Sequence, residues 1–466
     1  MTNAASPLPQ LGHESRVLAR HAGTVWLGQL AVMAYGVTDT VVAGRHATES
    51  LAALSVGSAV YISVSVALFS VIQALLPIWS RLHGAGEQAA VGASLRQSLY
   101  LCGAAIALGM AVLMFPGPML RWTRVPPEQE AAVTAYLQVL AWSLTPALLF
   151  RLYATFNQSL GRPQMVTWLQ VAALGLKVPL SIWFTFGGAG LPALGAVGCA
   201  WATLVVYTAL CALGLTLMRR HTWYRPYRIW QPMEAPDWRQ LRGFLQLGIP
   251  AGLSVLVEVS AFTLMALYSA RLGAVALAAH QIASNLAAVL YMMPLSMGIA
   301  LSARVGFWLG AGHPDTARRV AWLGLGVTAA VAAGGAGLMW LARTAIVGGY
   351  GPAPDVAQLA ITLLGLVALY HLADALQSVS LFVLRCYGVT LQPLLIYCLL
   401  LWGAGLYGGY HLAYSGLGPW PALHSPGAFW LASTCALVVV AGLFLLLVWR
   451  HARSPEDAHR ALAAPL

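Results

Sequence analysis

The sequence predicts an all-α polytopic membrane protein, with twelve transmembrane helices in two pseudo-symmetric six-helix lobes. Three observations carry that prediction. Of 466 residues, 59% are hydrophobic and only 8% are charged, against about 25% charged in a typical soluble domain. The apolar residues gather into runs of about 20 or more, the length that crosses a bilayer as a helix. The second half of the chain also repeats the first at a fixed offset. Strand-like alternation is absent, which argues against a membrane barrel.

The apolar runs lie at 24–44, 52–80, 93–116, 131–160, 164–187, 193–218, 244–270, 276–309, 317–345, 356–387, 391–415 and 427–450. Arginines mark many of their ends. Arg16 and Arg20 precede helix 1, Arg45 follows it, and Arg81 and Arg96 flank the connection from helix 2 to helix 3. Arg121 and Arg124 follow helix 3, Arg162 follows helix 4, and Arg219 and Arg220 follow helix 6. In the second half Arg271 follows helix 7, Arg318 and Arg319 open helix 9, Arg343 closes it, and Arg385 and Arg450 close helices 10 and 12. With the N-terminus inside, 17 arginines face the cytoplasm and 5 face out. That bias predicts a multi-pass protein of the bacterial inner membrane with both termini cytoplasmic. The net charge of +11 then reports orientation and not a nucleic-acid partner. The first 20 residues lack the apolar core of a cleaved signal peptide, so helix 1 is expected to serve as the targeting signal. The six cysteines show no CxxC spacing and read as buried free thiols. No cofactor and no resident metal are expected, and a functional monomer is.

The longest polar stretch, RRHTWYRPYRIWQPMEAPDWRQLR at 219–242, holds six arginines. It divides the chain into a cytoplasmic tail at 1–23, an N-lobe at 24–218, a basic cytoplasmic linker at 219–243, a C-lobe at 244–450 and a second tail at 451–466. The lobes align without a gap: VVAGRHATESLAALSVGSAV at 41–60 falls on LYSARLGAVALAAHQIASNL at 267–286. Arg45 lies on Arg271, and the same offset of 226 carries HGAG at 83–86 onto LGAG at 309–312. Six helices per repeat make the repeat parallel. Transporters built this way bind substrate near the midplane and rock their halves alternately. No HExxH, GxSxG or P-loop pattern is present, so nothing points to an enzyme.

Eleven of the fourteen carboxylates, Glu14 and Glu234 among them, fall in predicted loops and tails. Asp39, Glu258 and Asp374 remain inside helices, where an acid is a functional candidate by default. Glu258 lies about 20 Å from either end of helix 7, near the midplane, and Asp374 is similarly central in helix 10. Either suits proton or cation binding, and either could instead form a static helix–helix hydrogen bond. His371 lies three residues before Asp374, on the same face, and is expected to donate to it. His280 is a weaker candidate. Asp39 lies near the outer end of helix 1, where it could also snorkel. The chain has a single lysine, Lys177, roughly 15 Å below the outer surface in helix 5. It is expected to pair with Asp39, with Arg151 of helix 4 nearby, either as a switch or as a static pair. Tyr35, Tyr268, Tyr291, Met292, Met293 and Tyr370 are candidate cavity-lining residues, suited to cations, or else ordinary packing.

TDTVVAG at 38–44, LAALSVGSA at 51–59, GAVGCAWAT at 195–203 and AAHQIASN at 278–285 together resemble the multidrug and toxic compound extrusion (MATE) family, above all its bacterial NorM-type branch. The resemblance covers residues 15 to 450. It implies antiport, in which organic cations leave the cell as protons or sodium ions enter. It also implies functional acids in helices 1, 7 and 10, matching Asp39, Glu258 and Asp374. Two departures stand out. Relatives have asparagine at the Lys177 position and asparagine or aspartate at Ser181. A helix 1 proline of the relatives is Thr24 here, while Pro250 is present in helix 7. A built-in ammonium and one fewer strong oxygen ligand disfavour a first-half sodium site. They shift the expected coupling to Glu258 and Asp374, where sodium remains possible.

Three other activities fit a twelve-helix chain. An exporter of a specific endogenous metabolite is one. A flippase for an anionic lipid-linked precursor is another, and it would need free cations among Arg151, Lys177 and Arg304. A membrane scaffold or receptor would show no flux.

Overall fold

A computed structural model describes residues 11–122, 127–188, 190–416 and 418–453. Among them, twelve helices are long and apolar enough to span a membrane. They are Gly12–His46, Thr48–Gly84, Gln88–Met114, Gln129–Ser159, Pro163–Phe186, Ala196–Arg220, Trp238–Arg271, Ala274–Gly310, Pro314–Tyr350, Pro354–Cys386, Leu391–Tyr414 and Gly427–Arg453, here helices 1 to 12. Helices 5, 9 and 10 carry proline in the first turn, where its missing N–H has no intrahelical acceptor to lose.

The internal repeat is visible in the backbone. Gly86 and Gly312, 226 residues apart, adopt φ of 78° and 76° after helices 2 and 8. Gly161 and Gly388 do the same at 72° and 74° after helices 4 and 10. Only glycine takes this left-handed conformation freely, so the duplicated glycines place duplicated helix ends. The packing repeats as well: helix 4 packs on helices 2 and 6, and helix 10 on helices 8 and 12. In the first half, Gly57 of helix 2 admits the Tyr136 ring, which a Cβ would meet at 2.4 Å. In the second, Gly298 of helix 8 admits Phe382, at 2.5 Å.

The chain forms two compact units. One runs from Leu27 to Gly252, and the other joins the helix before Leu27 to the chain from Leu253. The two dividing points are again 226 residues apart. Each unit has its own apolar core, built around Trp79, Phe156 and Leu144 in the first and around Trp430, Phe429 and Phe444 in the second.

Three boundaries differ from expectation. Residues 11–23, read from sequence as tail, continue helix 1. Glu14, which looked like a loop acid, is buried there and paired with Arg304 of helix 8, whose Nε donates to Oε2 at 3.0 Å. Helix 11 is one span by length but has a π-helical middle at Cys398–Tyr407. Trp402 of that stretch donates its indole N–H to the Val257 carbonyl at 3.2 Å. The basic linker is a folded segment and no loose tether. It holds a 3-10 helix at Thr222–Tyr227, and helix 7 has begun by Trp238. Arg96, counted from sequence among the cytoplasmic charges, is buried and grips this segment. It donates from Nη1 to the Arg228 carbonyl at 2.7 Å and from Nε to Glu234 Oε2 at 2.8 Å. Residues 1–10 and 454–466 of the expected tails lie outside the described residues.

The hydrogen-bonded Arg96 guanidinium holds the half-exposed Glu234 carboxyl below its usual range. Its contribution is therefore full above the ordinary value of 4.5 and is lost as pH falls through the lower folded-state value. Hydrogen exchange of residues 228–237 is expected to stay slow through pH 4.5 and to quicken only below it. Glu234→Gln is expected to quicken it at neutral pH, and unchanged exchange in that variant would contradict the anchoring role.

Candidate functional site

The first-half site is built by helices 1, 5 and 6. Lys177, Ser181 and Thr185 recur every four residues and share one face of helix 5, and Cys199 and Thr203 do the same on helix 6. Lys177 Nζ lies 2.8 Å from Asp39 Oδ1. It also donates to the Cys199 carbonyl at 3.1 Å and to Thr203 Oγ1 at 2.7 Å. An ammonium has three protons, and all three are used. Ser181 Oγ donates to the same Asp39 Oδ1 at 2.9 Å, and Cys199 Sγ lies 3.8 Å from the Asp39 carbonyl. One turn before Asp39, the Tyr35 hydroxyl donates to the Gln170 carbonyl of helix 5 at 2.6 Å. Lys177 is 1% exposed, so the pair is closed to solvent and complete.

Arg151 does not join it. Its guanidinium donates to Gln73 of helix 2 and lies 5.7 Å from the Phe69 ring. The expected neighbourhood of Asp39, Lys177 and Arg151 is therefore only the first two. The arginine, although at a similar predicted depth, faces a different helix.

The second-half site has another chemistry. Asp374 is buried, and its Oδ1 accepts from Gln377 Nε2 at 3.0 Å. Gln377 is fully buried and held in turn by the Tyr397 hydroxyl, which donates to its Oε1. Glu258 is half-buried on helix 7, and the charges acting on it are Asp374 and Arg385. No side chain among the described residues hydrogen-bonds it. Arg385, assigned from sequence to the cytoplasmic face, is buried, lies 4.7 Å from the Phe382 ring and leaves its Nε without a partner. His371 does not donate to Asp374, since Gln377 fills that place. The histidine Nε2 instead lies 3.8 Å from where a Gly335 Cβ would be.

The aromatic candidates divide. Tyr291, Tyr370 and Tyr397 fall within the electrostatic reach of Glu258 and Asp374. Tyr370 also packs edge-on against Trp430, with ring centroids 5.4 Å apart. Tyr268 stacks on Phe429 at 5.9 Å and stands apart from the acids as a packing residue. His280 bonds Ser284 through Nε2 at 3.1 Å. Sequence reasoning missed Gln377, Tyr397 and Thr203. Gln377 was legible, three residues after a buried acid. Tyr397 and Thr203 were not, because each reaches its partner from a different helix.

The family model for MatE matches residues 25–183 and 250–410, one block in each half. The chain belongs to the MatE family. It is 37% identical over 448 residues to the probable multidrug resistance protein NorM of Aromatoleum aromaticum, covering 94% of this chain and 95% of that one. It is 32% identical to the multidrug resistance protein PmpM of Pseudomonas aeruginosa, covering 99% and 97%. The fold matches that of the eukaryotic MATE transporter AtDTX14 with a TM-score of 0.83, at 18% identity over 97% of this chain and 99% of that one. It also matches the Vibrio cholerae MATE transporter VcmN in its bent form, with a TM-score of 0.79 at 18% identity over 98% and 99%. The NorM-type resemblance thus holds, and the chain is a multi-pass membrane transporter and not an enzyme.

Removing one partner of a buried ion pair strands the other charge, at a cost of about 3–5 kcal/mol. Lys177→Met is therefore expected to lower the melting temperature in detergent markedly. Adding Asp39→Asn to it should restore most of the loss. An unchanged melting temperature in the single variant would mean that Asp39 does not depend on the lysine.

Proposed function

We propose that this transporter is a secondary antiporter of the bacterial inner membrane that exports organic cations, drugs among them, by alternating access in exchange for protons. Glu258 and Asp374 exchange the coupling ion, and one chain suffices. The observation that carries this reading is the contrast between the two sites. Asp39 is already neutralised by a lysine whose three protons are all engaged. Asp374 holds only a neutral amide. A buried acid without a fixed cation must take a proton or a cation to shed its charge, and that acid can exchange one for the other.

Sodium is the alternative coupling ion. Hard cations take several oxygen ligands. Among the described residues no group of three or more His, Cys, Asp or Glu comes together, so two carboxylates would supply only part of a sodium shell. The anionic-lipid flippase loses support, because each cation it needs has a partner. Lys177 holds Asp39, Arg304 holds Glu14 and Arg151 holds Gln73. His371, buried away from Asp374, is assigned a packing role. The names of the relatives, multidrug resistance proteins, agree with drug export over a single endogenous metabolite.

The test is uptake of ethidium into proteoliposomes with proton and sodium gradients imposed separately. A proton gradient alone is expected to drive it, and Glu258→Gln and Asp374→Asn are each expected to reduce it at least about 100-fold, the scale of losing an essential proton carrier. Uptake that needs sodium, or that survives both substitutions, would overturn the proposal.

A further inference from the structure

Between the last turn of helix 6 and the strand-like approach to helix 7 lies a cavity of about 360 Å³, lined by Arg219, His221, Arg225, Arg228, Trp230 and Gln231 among others. Nothing in the transport reading uses it. We infer that this cavity binds the headgroup of an anionic phospholipid from the cytoplasmic leaflet.

The charge is unbalanced and presented outward. Residues 218–231 contain four arginines and no acid. Arg219, Arg225 and Arg228 are exposed, and among the described residues none of them forms an ion pair. The nearest acid along the chain, Glu234, is already taken by Arg96. The backbone is fixed so as to display these side chains. Arg228 sits at φ 48°, one of two non-glycine residues in the left-handed region among those described. That conformation is costly for a residue with a Cβ. It is held by Arg96, which captures the Arg228 carbonyl at 2.7 Å and leaves the Arg228 side chain free.

The cavity also sits at the depth of a headgroup. Helix 6, a membrane span, ends at Arg220. Trp230 is 54% exposed and donates its indole N–H to the Met218 carbonyl at 3.2 Å. It thereby satisfies one of the acceptors that a helix end leaves open. Tryptophan in this half-wet position belongs to the membrane–water interface. The Arg219 guanidinium lies 5.7 Å from the Trp230 ring. Arg219 and Arg220 offset the negative end of the helix dipole, so an anion meets net positive charge. Several arginines beside an interfacial indole make a pocket for a lipid phosphate, with acyl chains running along helix 6.

The experiment is native mass spectrometry of the full chain in detergent, offered equal amounts of phosphatidylglycerol and phosphatidylcholine with the same acyl chains. Phosphatidylglycerol is expected to be retained first. Its preference should fall about fivefold for each arginine removed, as read in Arg225→Gln and in Arg225→Gln with Arg228→Asn. Phosphatidylcholine retention should not change. Equal retention of the two lipids by the unaltered chain would overturn the inference. So would full phosphatidylglycerol preference in the double variant. Displacement of the lipid by millimolar inorganic phosphate would overturn it too, by marking a site for free anions. If the double variant does not fold, the unaltered chain decides. Rising salt should erode the preference, and a preference indifferent to salt contradicts an arginine-borne site.

Discussion

Hydrocarbon does not tolerate a lone charge, and that constraint organises this molecule. Lys177 exists inside the bilayer because Asp39, Thr203 and the Cys199 carbonyl each take one of its protons. The same constraint ties the first turns of helix 1 to helix 8 through Glu14 and Arg304. It gives Arg151 a glutamine and an aromatic face. What remains is two acids, Glu258 and Asp374, with no carboxylate–guanidinium or carboxylate–ammonium bond. They are the places where a mobile ion has work to do.

The duplication makes the difference between the halves instructive. Backbone features have been kept: left-handed glycines close corresponding helices, and glycines admit aromatic rings at corresponding helix pairs. The polar chemistry has not. At the repeat offset, Asp39 corresponds to Met265 and Glu258 to Val32. Each half therefore carries its acids where the other is apolar. One scaffold supports a closed ion pair in one half and an exchangeable pair of acids in the other.

The helices, the repeat and the three intramembrane acids were legible in the sequence, because the bilayer imposes length and polarity on every span. The Lys177–Asp39 pair was legible for the same reason, since a lone lysine in hydrocarbon must find an acid. Arg151 was misplaced because depth along a helix does not fix the direction a side chain faces. His371 was assigned to Asp374 by spacing alone, although Gln377 on the other side of the acid has an equal claim and the reach to satisfy it. Glu14 and Arg385 were read as solvent charges because each lies close to a helix end. Burial there depends on what packs over that end, which no local pattern encodes. The grip of Arg96 on the linker joins residues more than a hundred positions apart, beyond any spacing rule.

The central claim is that the coupling ion belongs to the second half because the first half carries its cation covalently. Proton release on binding of tetraphenylphosphonium, read with a pH indicator in weakly buffered detergent solution, tests it most directly. Release is expected from the unaltered chain and from the Asp39→Asn, Lys177→Met double variant, and not from Glu258→Gln with Asp374→Asn. Release that disappears with the first-half pair and persists without the second-half acids would contradict the account.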